Sequence, residues 1–304
     1  MIISALSAKP LSEGILKRLI SRKLDTVNNM QICVGKEKDN IVVYPTDYPA
    51  SMNAFLRTLS ISDCIIFVVN EAISALDAEI ALAVENSSVP TGMVITSETS
   101  DMESFSQFFS KYRVGAFKKI GPREDVILPH VPARAARPYV SIDKHFVVKG
   151  IGNVLIGFTL GGPIKKGDKM FLLPTAKEVT IKNIQLMDVD STLAGPGQHV
   201  GLALNNTSES DLDLNYALCA VKDVSDTYHC ELSKSKFYMG EITPSSALGC
   251  AVLGKNLSLT LSDAGGEMSV KFNKAIMKAP GKHVIADTGM ASGRNRIVGS
   301  LELL

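Results

Sequence analysis

The chain has 304 residues, of which 45% are hydrophobic and 21% are charged. This length predicts two or three domains, and the composition is typical of a soluble globular protein rather than a disordered or membrane-spanning one. The formal net charge of +1 gives no overall field for nucleic acid, so any RNA contact must use a local basic patch. No apolar run approaches the ~18 residues of a membrane span, and the first residues do not resemble a signal peptide. We therefore expect a cytoplasmic protein.

The five cysteines are scattered and form no CxxC pair. This usage predicts buried thiols in a reducing compartment rather than disulfides or a zinc site. His145 and His199 fall in strand-like segments, where we expect a structural role rather than catalysis. No Ser, His and Asp pattern indicates a triad, so the sequence assigns no catalytic residue and no metal ligand.

Residues 1–127 alternate between two kinds of pattern. Short runs rich in Ile and Val are typical of buried parallel strands. They stand at Ile2–Leu6, Gln31–Val34, Ile41–Tyr44, Cys64–Val69 and Gly92–Thr96. Between them, helical spacing of apolar residues predicts helices. These are expected at Glu13–Leu24, Ala50–Leu59, Ala75–Asn86 and Met102–Tyr112. Alternating strands and helices predict an open, doubly wound α/β sheet.

The rest of the chain predicts β structure. Prolines in residues 128–138 resist both helix and sheet interior, and we expect a linker there. From 139 to 220, short alternating strands are separated by Gly, Pro and Asp turns, which is typical of a small closed barrel. Residues 221–304 lack helical periodicity and predict a second antiparallel barrel. Its strands are expected at Tyr228–Leu232, Ala247–Leu253, Leu257–Leu261, Glu267–Phe272, His283–Ala286 and Arg296–Leu303.

The first barrel segment resembles the second domain of the elongation factor Tu superfamily. The matching elements are Asp143 to Gly150 running into Gly152, the Gly157 turn, Lys166-Gly167-Asp168, Ile184-Gln185, and Ala194-Gly195-Pro196-Gly197 leading into Val200-Gly201-Leu202. The resemblance implies a degenerate P-loop-GTPase-like doubly wound domain followed by two antiparallel β-barrels, as in elongation factor Tu and the selenocysteine-specific elongation factor. The last segment matches in pattern and position. The chain is most similar to the archaeal elongation-factor-like group associated with pyrrolysine.

A GTPase of this superfamily needs a phosphate-binding loop, GxxxxGK[ST], after its first strand. At the matching spacing, Ala5 stands for the first glycine, Pro10 for the second and Leu11 for the lysine. Of the motif's defining residues, Ser12 remains. Pro10 also lacks the amide N–H that such a loop presents to a phosphate.

The other nucleotide motifs of the superfamily are altered as well. The DxxG position aligns with Tyr44–Asp47, and the NKxD position with Thr96–Thr99. Charge-assisted hydrogen bonds contribute roughly 1.5–3 kcal/mol each, so losing three would weaken GTP binding about 10³–10⁶-fold. We therefore expect no cofactor and a pseudo-GTPase rather than an enzyme. GTP with Mg²⁺ would bind only to a rebuilt site.

Ser12 has two interpretations. It can bind a phosphate at the start of the first predicted helix, or it can cap that helix. Basic residues form the other candidate site, because relatives hold tRNA by its backbone. The main cluster is Lys271, Lys274, Lys278, Lys282, Arg294 and Arg296. Smaller groups are Lys144, Lys149, Lys165, Lys166 and Lys169 on barrel turns, and Arg134 with Arg137 in the linker. Such side chains can neutralise phosphates without reading sequence, although a solvated surface gives the same pattern.

Three functions remain open on this basis. The first is an elongation-factor-like protein that binds tRNA or the ribosome through its barrels, with neither DNA nor a membrane as partner. The second is a GTP-binding elongation factor with a rebuilt nucleotide site. Ser12 and the retained α/β sheet are the observations that support it. The third is a scaffold or regulator that binds a protein through the α/β domain.

Overall fold

The computed structural model describes residues 1–37, 39–131 and 137–304. Part of the predicted linker, including Arg134, lies outside the described residues. The first domain is built on a seven-stranded sheet. Its strands are β1 (Ile2–Leu6), β2 (Ile20–Val27), β3 (Met30–Gly35), β4 (Ile41–Pro45), β5 (Cys64–Val68), β6 (Thr91–Ile95) and β7 (Lys118–Ile120). Its helices are α1 (Glu13–Leu19), α2 (Asn53–Ile61), α3 (Ala75–Glu85), α4 (Met102–Phe109) and α5 (Arg113–Ala116).

The sheet of this α/β domain is mixed, with the strand order β2-β3-β4-β1-β5-β6-β7. Strands β4, β1, β5, β6 and β7 run parallel to one another. Strands β2, β3 and β4 are joined antiparallel. Every residue of the central strands β1 and β5 is buried, which accounts for their predominantly apolar sequences.

The first helix is shorter than the sequence pattern predicts. It was expected to run from Glu13 to Leu24, but it ends at Leu19, and residues 20–27 form strand β2 against β3. The turn between them holds Asn28 and Asn29 at φ 49° and 60°, as a two-residue hairpin of type I′ requires. Two bulges interrupt the pairing of β2. Because each bulge inserts an extra residue, the apolar residues of β2 are not spaced two apart in the sequence, and their spacing resembles that of a helix.

The first barrel follows the linker. Its elements are β8 (Tyr139–Val148), β9 (Gly152–Thr159), β10 (Ile164–Lys165), β11 (Lys169–Leu173), β12 (Lys177–Leu186), β13 (Val189–Ser191), β14 (Leu193–Ala194), β15 (His199–Asn205), α6 (Glu209–Leu214) and β16 (Ala217–Cys219). The ring runs β11-β16-β8-β9-β15-β12 and closes where β12 pairs with β11, with β13 added outside β12. Leu155, Ile184 and Leu202 are among the residues that fill its interior.

Gly157 does not lie in a turn, although the sequence comparison placed it there. It lies inside β9 and pairs with Ile142 and Val200. A Cβ at this position would lie 2.0 Å from the carbonyl oxygen of Ser141. The glycine is therefore required by a close approach of two strands, rather than by a turn conformation.

The last barrel contains six strands. They are β17 (Ser225–Lys234), β18 (Leu248–Val252), β19 (Lys255–Ala264), β20 (Glu267–Ile276), β21 (His283–Asp287) and β22 (Ile297–Leu303). The ring closes in the order β17-β20-β19-β18-β21-β22. An α/β domain followed by two closed antiparallel barrels confirms the predicted fold class.

The chain divides into two compact units. One contains the first barrel together with Ala275–Lys278, and the other contains Ile2–Val131, Asp226–Lys274 and Ala279–Leu304. The five cysteines are all buried and carry free thiols, and their burial agrees with the sequence prediction. Across the described ranges, no helix is both long and apolar enough to cross a membrane.

Candidate functional site

A shallow cavity opens at the edge of the α/β sheet where β1, β5 and β6 end. Segments that follow these three strands form its walls, and the carboxyl edge of a parallel sheet is where α/β proteins place ligands. Its polar lining consists of Ser7, Lys9, Ser12, Asn70, Glu71 and Ser97. The cavity volume is about 90 Å³, well below the ~300–1,000 Å³ of typical ligand pockets. A nucleotide would fit only if the surrounding loops moved.

Four of the polar side chains of this cavity bond to one another in two pairs. Lys9 Nζ lies 2.7 Å from Glu71 Oε2, and this hydrogen bond holds the pKa of Glu71 below its usual value. Ser7 Oγ lies 3.3 Å from Asn70 Nδ2. The loop that follows β1 is thereby joined to the loop that follows β5, at the position that the sequence analysis aligned with a phosphate-binding loop.

Ser12 acts as the N-cap of α1. Its backbone is extended, with φ −66° and ψ 155°, and its Oγ accepts a hydrogen bond from the Ile15 N–H at 3.3 Å. Helix α1 has only seven residues. The geometry is that of the capping interpretation, and a phosphate contact at Ser12 stays a prediction.

The basic residues predicted as an RNA surface do not share one environment. Lys271 and Lys274 lie exposed on β20, and Lys278 and Lys282 lie exposed between β20 and β21. Lys271 pairs with Thr260 of β19, and Phe272 beside it points into the barrel. Because side chains alternate along a strand, Lys271 and Lys274 belong to opposite faces of β20.

Arg296 must be removed from the predicted RNA surface. Its side chain is buried, with 2% of the residue exposed, and its guanidinium Nη2 lies 2.6 Å from Glu79 Oε1. The sequence pattern missed this because Arg296 directly precedes a strand and resembles Arg294, which is exposed. Burial alone would lower the pKa of Arg296, but the hydrogen bonds and charge of Glu79 outweigh it and raise the pKa.

The sequence analysis did not select Lys255, which lies beside Lys274 at one end of the last barrel. Burial, then the positive charges of Lys274 and Arg57, lower the pKa of Lys255. Arg57 comes from α2, more than 190 residues earlier in the chain, and its Nε donates to the Gly254 carbonyl at 3.0 Å. No local sequence signal connects these positions, because the contact is made only by the tertiary fold.

The two histidines of the first barrel occupy strand positions, as predicted. His199 Nε2 lies 3.2 Å from Asp143 Oδ2, and its ring centroid is 4.8 Å from that of Phe158. His145 Nε2 lies 3.3 Å from Asp213 Oδ1. Among the residues that the structure describes, no group of three or more His, Cys, Asp or Glu side chains forms a metal site.

Sequence comparison finds relatives over part of the chain, and no family model matches it. An uncharacterized protein of Methanocaldococcus jannaschii is 27% identical over 213 residues, which is 66% of this chain and 67% of that protein. The selenocysteine-specific elongation factor of the same organism is 37% identical over 71 residues, or 23% of this chain and 15% of that factor. Elongation factor 1-alpha of Thermoplasma volcanium is 29% identical over 73 residues, or 24% of this chain and 17% of that factor.

Structural comparison extends over almost the whole chain. Apo translation elongation factor SelB from Methanococcus maripaludis has a TM-score of 0.73, with 15% identity over 100% of this chain and 79% of that one. A bacterial selenocysteine-specific elongation factor has a TM-score of 0.70, with 13% identity over 99% of this chain and 57% of that one. The fold is therefore that of SelB-type elongation factors, and the chain spans little more than half the length of the bacterial factor.

Proposed function

We propose that this chain is a translation elongation factor-like protein that binds tRNA or the ribosome through its barrels and does not hydrolyse GTP. The observation that carries the proposal is the likeness to SelB structures, which extends through the α/β domain and both barrels with TM-scores of 0.70–0.73. The short sequence matches to named elongation factors point in the same direction. We also propose that the chain belongs with the archaeal elongation-factor-like group associated with pyrrolysine, in which the GTPase domain has lost its nucleotide motifs.

The cavity at the end of β1 supports the absence of GTP hydrolysis. Pro10 has no amide N–H to offer a phosphate, and Leu11 has no charge. Lys9, the cation in this loop, is bound to Glu71 at 2.7 Å. A phosphate approaching Lys9 would meet the Glu71 carboxylate, and like charges at close range repel.

The exposed cations of the last barrel support an RNA partner. Lys271, Lys274, Lys278, Lys282 and Arg294 are all exposed. Cations of this kind bind the phosphate backbone and release its counterions, so the binding they give weakens as salt rises. The overall charge of +1 is nearly neutral, so the proposal assigns the binding to local basic residues such as these.

The test is binding of the purified full chain to total tRNA and, separately, to isolated ribosomal subunits. We expect binding at about 50 mM salt that falls steeply by about 200 mM. Failure to bind either at the lower salt concentration contradicts the proposal. Recovery of a bound protein without RNA would favour the scaffold interpretation instead.

A GTP-binding elongation factor with a rebuilt site is the second candidate. It is favoured by the position of the cavity, which lies after β1 and carries Lys9 and Ser12. Ligand present at 100-fold over its Kd should stabilise the folded chain by about 2.7 kcal/mol. Thermal unfolding with millimolar GTP and Mg²⁺ tests this, with ATP and Mg²⁺ as the control for nonspecific effects. An unchanged melting temperature removes this candidate.

A further inference from the structure

The last barrel covers one side of the α/β domain. Helix α2 packs on β1, β3 and β4 of its own sheet and also on β18 and β19 of the last barrel. Seven of its nine residues are buried, Arg57 among them. Phe55 and Ile80 of the α/β domain belong to the same hydrophobic core as four residues of the last barrel. Those four are Ala251, Val284, Ala286 and Ile297.

A buried ion pair lies in this shared core. Glu79 of α3 is 1% exposed, and Arg296, directly before β22, is 2% exposed. Glu79 Oε1 accepts from Arg296 Nη2 at 2.6 Å, and Oε2 accepts from Arg296 Nε at 3.0 Å. The backbone N–H of Arg296 also donates to Oε2, at 2.8 Å. The pair is therefore bidentate, a geometry that gives both strength and direction.

Groups from the loop after β4 complete the bonding of this pair. Tyr48 donates its hydroxyl proton to Glu79 Oε1 at 2.9 Å, and the Pro49 carbonyl accepts from Arg296 Nη1 at 2.7 Å. The Arg296 guanidinium also lies 5.7 Å from the centroid of the Tyr48 ring. Burial, then the charge of Glu79, raise the pKa of Tyr48 well above its ordinary value, so Tyr48 stays a donor.

Further hydrogen bonds join the two domains at other points. The Arg57 side chain donates to the Gly254 carbonyl at 3.0 Å, and the Gly254 N–H donates to Ser60 Oγ at 3.1 Å. The Lys282 N–H donates to Ser88 Oγ. Separating the domains would expose a continuous apolar core to water, which is unfavourable. Removing one partner of the ion pair would leave the other charge buried and unpaired, which is also unfavourable.

We infer that Glu79, Arg296 and Tyr48 form a latch that permanently joins the α/β domain to the last barrel. The two domains fold and unfold as one body, and the α/β domain does not swing away from that barrel while the protein works. The inference goes beyond the proposed function, because it holds whichever ligand the chain binds. If the inference holds, the α/β domain keeps a fixed position against the last barrel. The face of the α/β domain that packs on this barrel is then not available to another partner.

The test is chemical unfolding of the full chain, followed by two probes. The chain has no tryptophan, so a Tyr228→Trp substitution on β17 reports the last barrel by fluorescence. Far-UV circular dichroism at the helical band reports chiefly the α/β domain, which contains α1 to α5, while the six-residue α6 lies in the first barrel. We expect the two transitions to coincide. Two separate transitions in this otherwise unaltered chain would overturn the inference.

The latch itself is tested in the same background by Arg296→Met, with Arg294→Met as the matched control. Arg294 is exposed and Arg296 is buried, two residues apart. We expect Arg296→Met to lower the unfolding midpoint and to separate the two transitions, while Arg294→Met leaves both unchanged. The double variant Glu79→Met with Arg296→Met leaves no unpaired buried charge, and we expect it to keep part of the loss in midpoint and the separated transitions. Equal midpoints for the Arg296→Met and Arg294→Met variants would overturn the role of the latch.

Discussion

Arg294 and Arg296 show how far the surroundings of a side chain decide its role. The first is exposed in the turn before β22, and the second is 2% exposed and bound to Glu79. An exposed arginine can reach a phosphate, whereas one already held by a buried carboxylate cannot do so without leaving that charge unpaired. Arg296 therefore belongs to the internal structure of the protein, whereas Arg294 stays available for the proposed RNA contact.

Gly157 provides a prediction about packing. Replacing it with alanine places a Cβ 2.0 Å from the Ser141 carbonyl oxygen, and β8 and β9 must move apart to admit it. We expect Gly157→Ala to lower the free energy of unfolding by at least about 2 kcal/mol. The control is Gly195→Ala, because a Cβ there meets no atom closer than 3.9 Å. Urea unfolding measures both, and equal effects would contradict this account of β9.

Asp211 provides a prediction about pH. Its Oδ2 accepts from Lys177 Nζ at 2.5 Å and from Ser208 Oγ at 2.7 Å. The hydrogen bond from Lys177, then those from Ser208, lower the pKa of Asp211 to about 2. The unfolded value is about 3.9. Because the folded pKa is the lower one, the stabilisation is complete above the unfolded pKa and is lost as pH falls toward the folded pKa.

We therefore expect Asp211→Asn to be less stable than the parent chain at neutral pH. The difference should shrink between the unfolded pKa of about 3.9 and the folded pKa of about 2. Urea unfolding at a series of pH values measures it. Asp223→Asn, an exposed aspartate outside any helix or strand, is the control. A difference that stays constant over this range would show that the carboxylate does not act through its charge.

At the scale of elements, helix α1 shows why a single capping residue matters. The helix has seven residues and buries only Ile15 and Leu19, so few contacts hold it in place. Short helices gain little from propensity and depend on packing and caps. The Ser12 side chain supplies one of these caps. Its loss should destabilise helix α1 at this edge of the α/β sheet.

We expect Ser12→Ala to lower the free energy of unfolding by about 1 kcal/mol, the usual cost of losing an N-cap. Ser12→Asp separates the two interpretations of this residue, because aspartate caps a helix as well as serine does but repels a phosphate. The variant should keep the parent's stability. If GTP with Mg²⁺ stabilises the parent chain and Ser12→Asp abolishes that effect, Ser12 contacts a phosphate.

Sequence patterns predicted most elements, because period and turn chemistry are local properties. The six strands of the last barrel and the helices α2 to α4 lie close to their predicted positions. The sequence pattern does not predict strand β2, because its two bulges hide the strand period of two, although Asn28-Asn29 forms a hairpin turn beside it. The burial and pairing of Arg296 could not be predicted from nearby residues, because its partner Glu79 is 217 residues away in the sequence.

At the scale of the whole molecule, Lys271 and the apolar residues of the last barrel that pack with the α/β domain lie on different strands. The face made by β18, β21 and β22 carries the apolar residues that pack with the α/β domain. Lysines on β20 and on the segment after it stay exposed. Substituting an exposed lysine such as Lys271 should therefore leave the packed core undisturbed.

We expect Lys271→Gln to weaken binding of total tRNA and to reduce the slope of log K against log salt by about 1. Because Lys271 is exposed in the middle of β20, the Lys271→Gln variant should be as stable as the parent chain. Lys111→Gln, an exposed lysine after α4 in the α/β domain, is the control and should leave the slope unchanged. Equal slopes for both variants and the parent would remove Lys271 from the RNA surface. Filter binding over a salt series measures them.

The edges of the sheets determine how readily one molecule can pair with another at high protein concentration. A closed ring leaves no row of unpaired backbone groups, whereas an open sheet has two such rows. Here the outer rows belong to β2, which carries Arg22, Lys23 and two bulges, and to β7, which has three residues and exposes Lys118 and Lys119. Short length, charge and irregular pairing each oppose the addition of a strand from a second molecule. The features that made β2 hard to recognise in the sequence therefore also protect the protein against edge-to-edge aggregation.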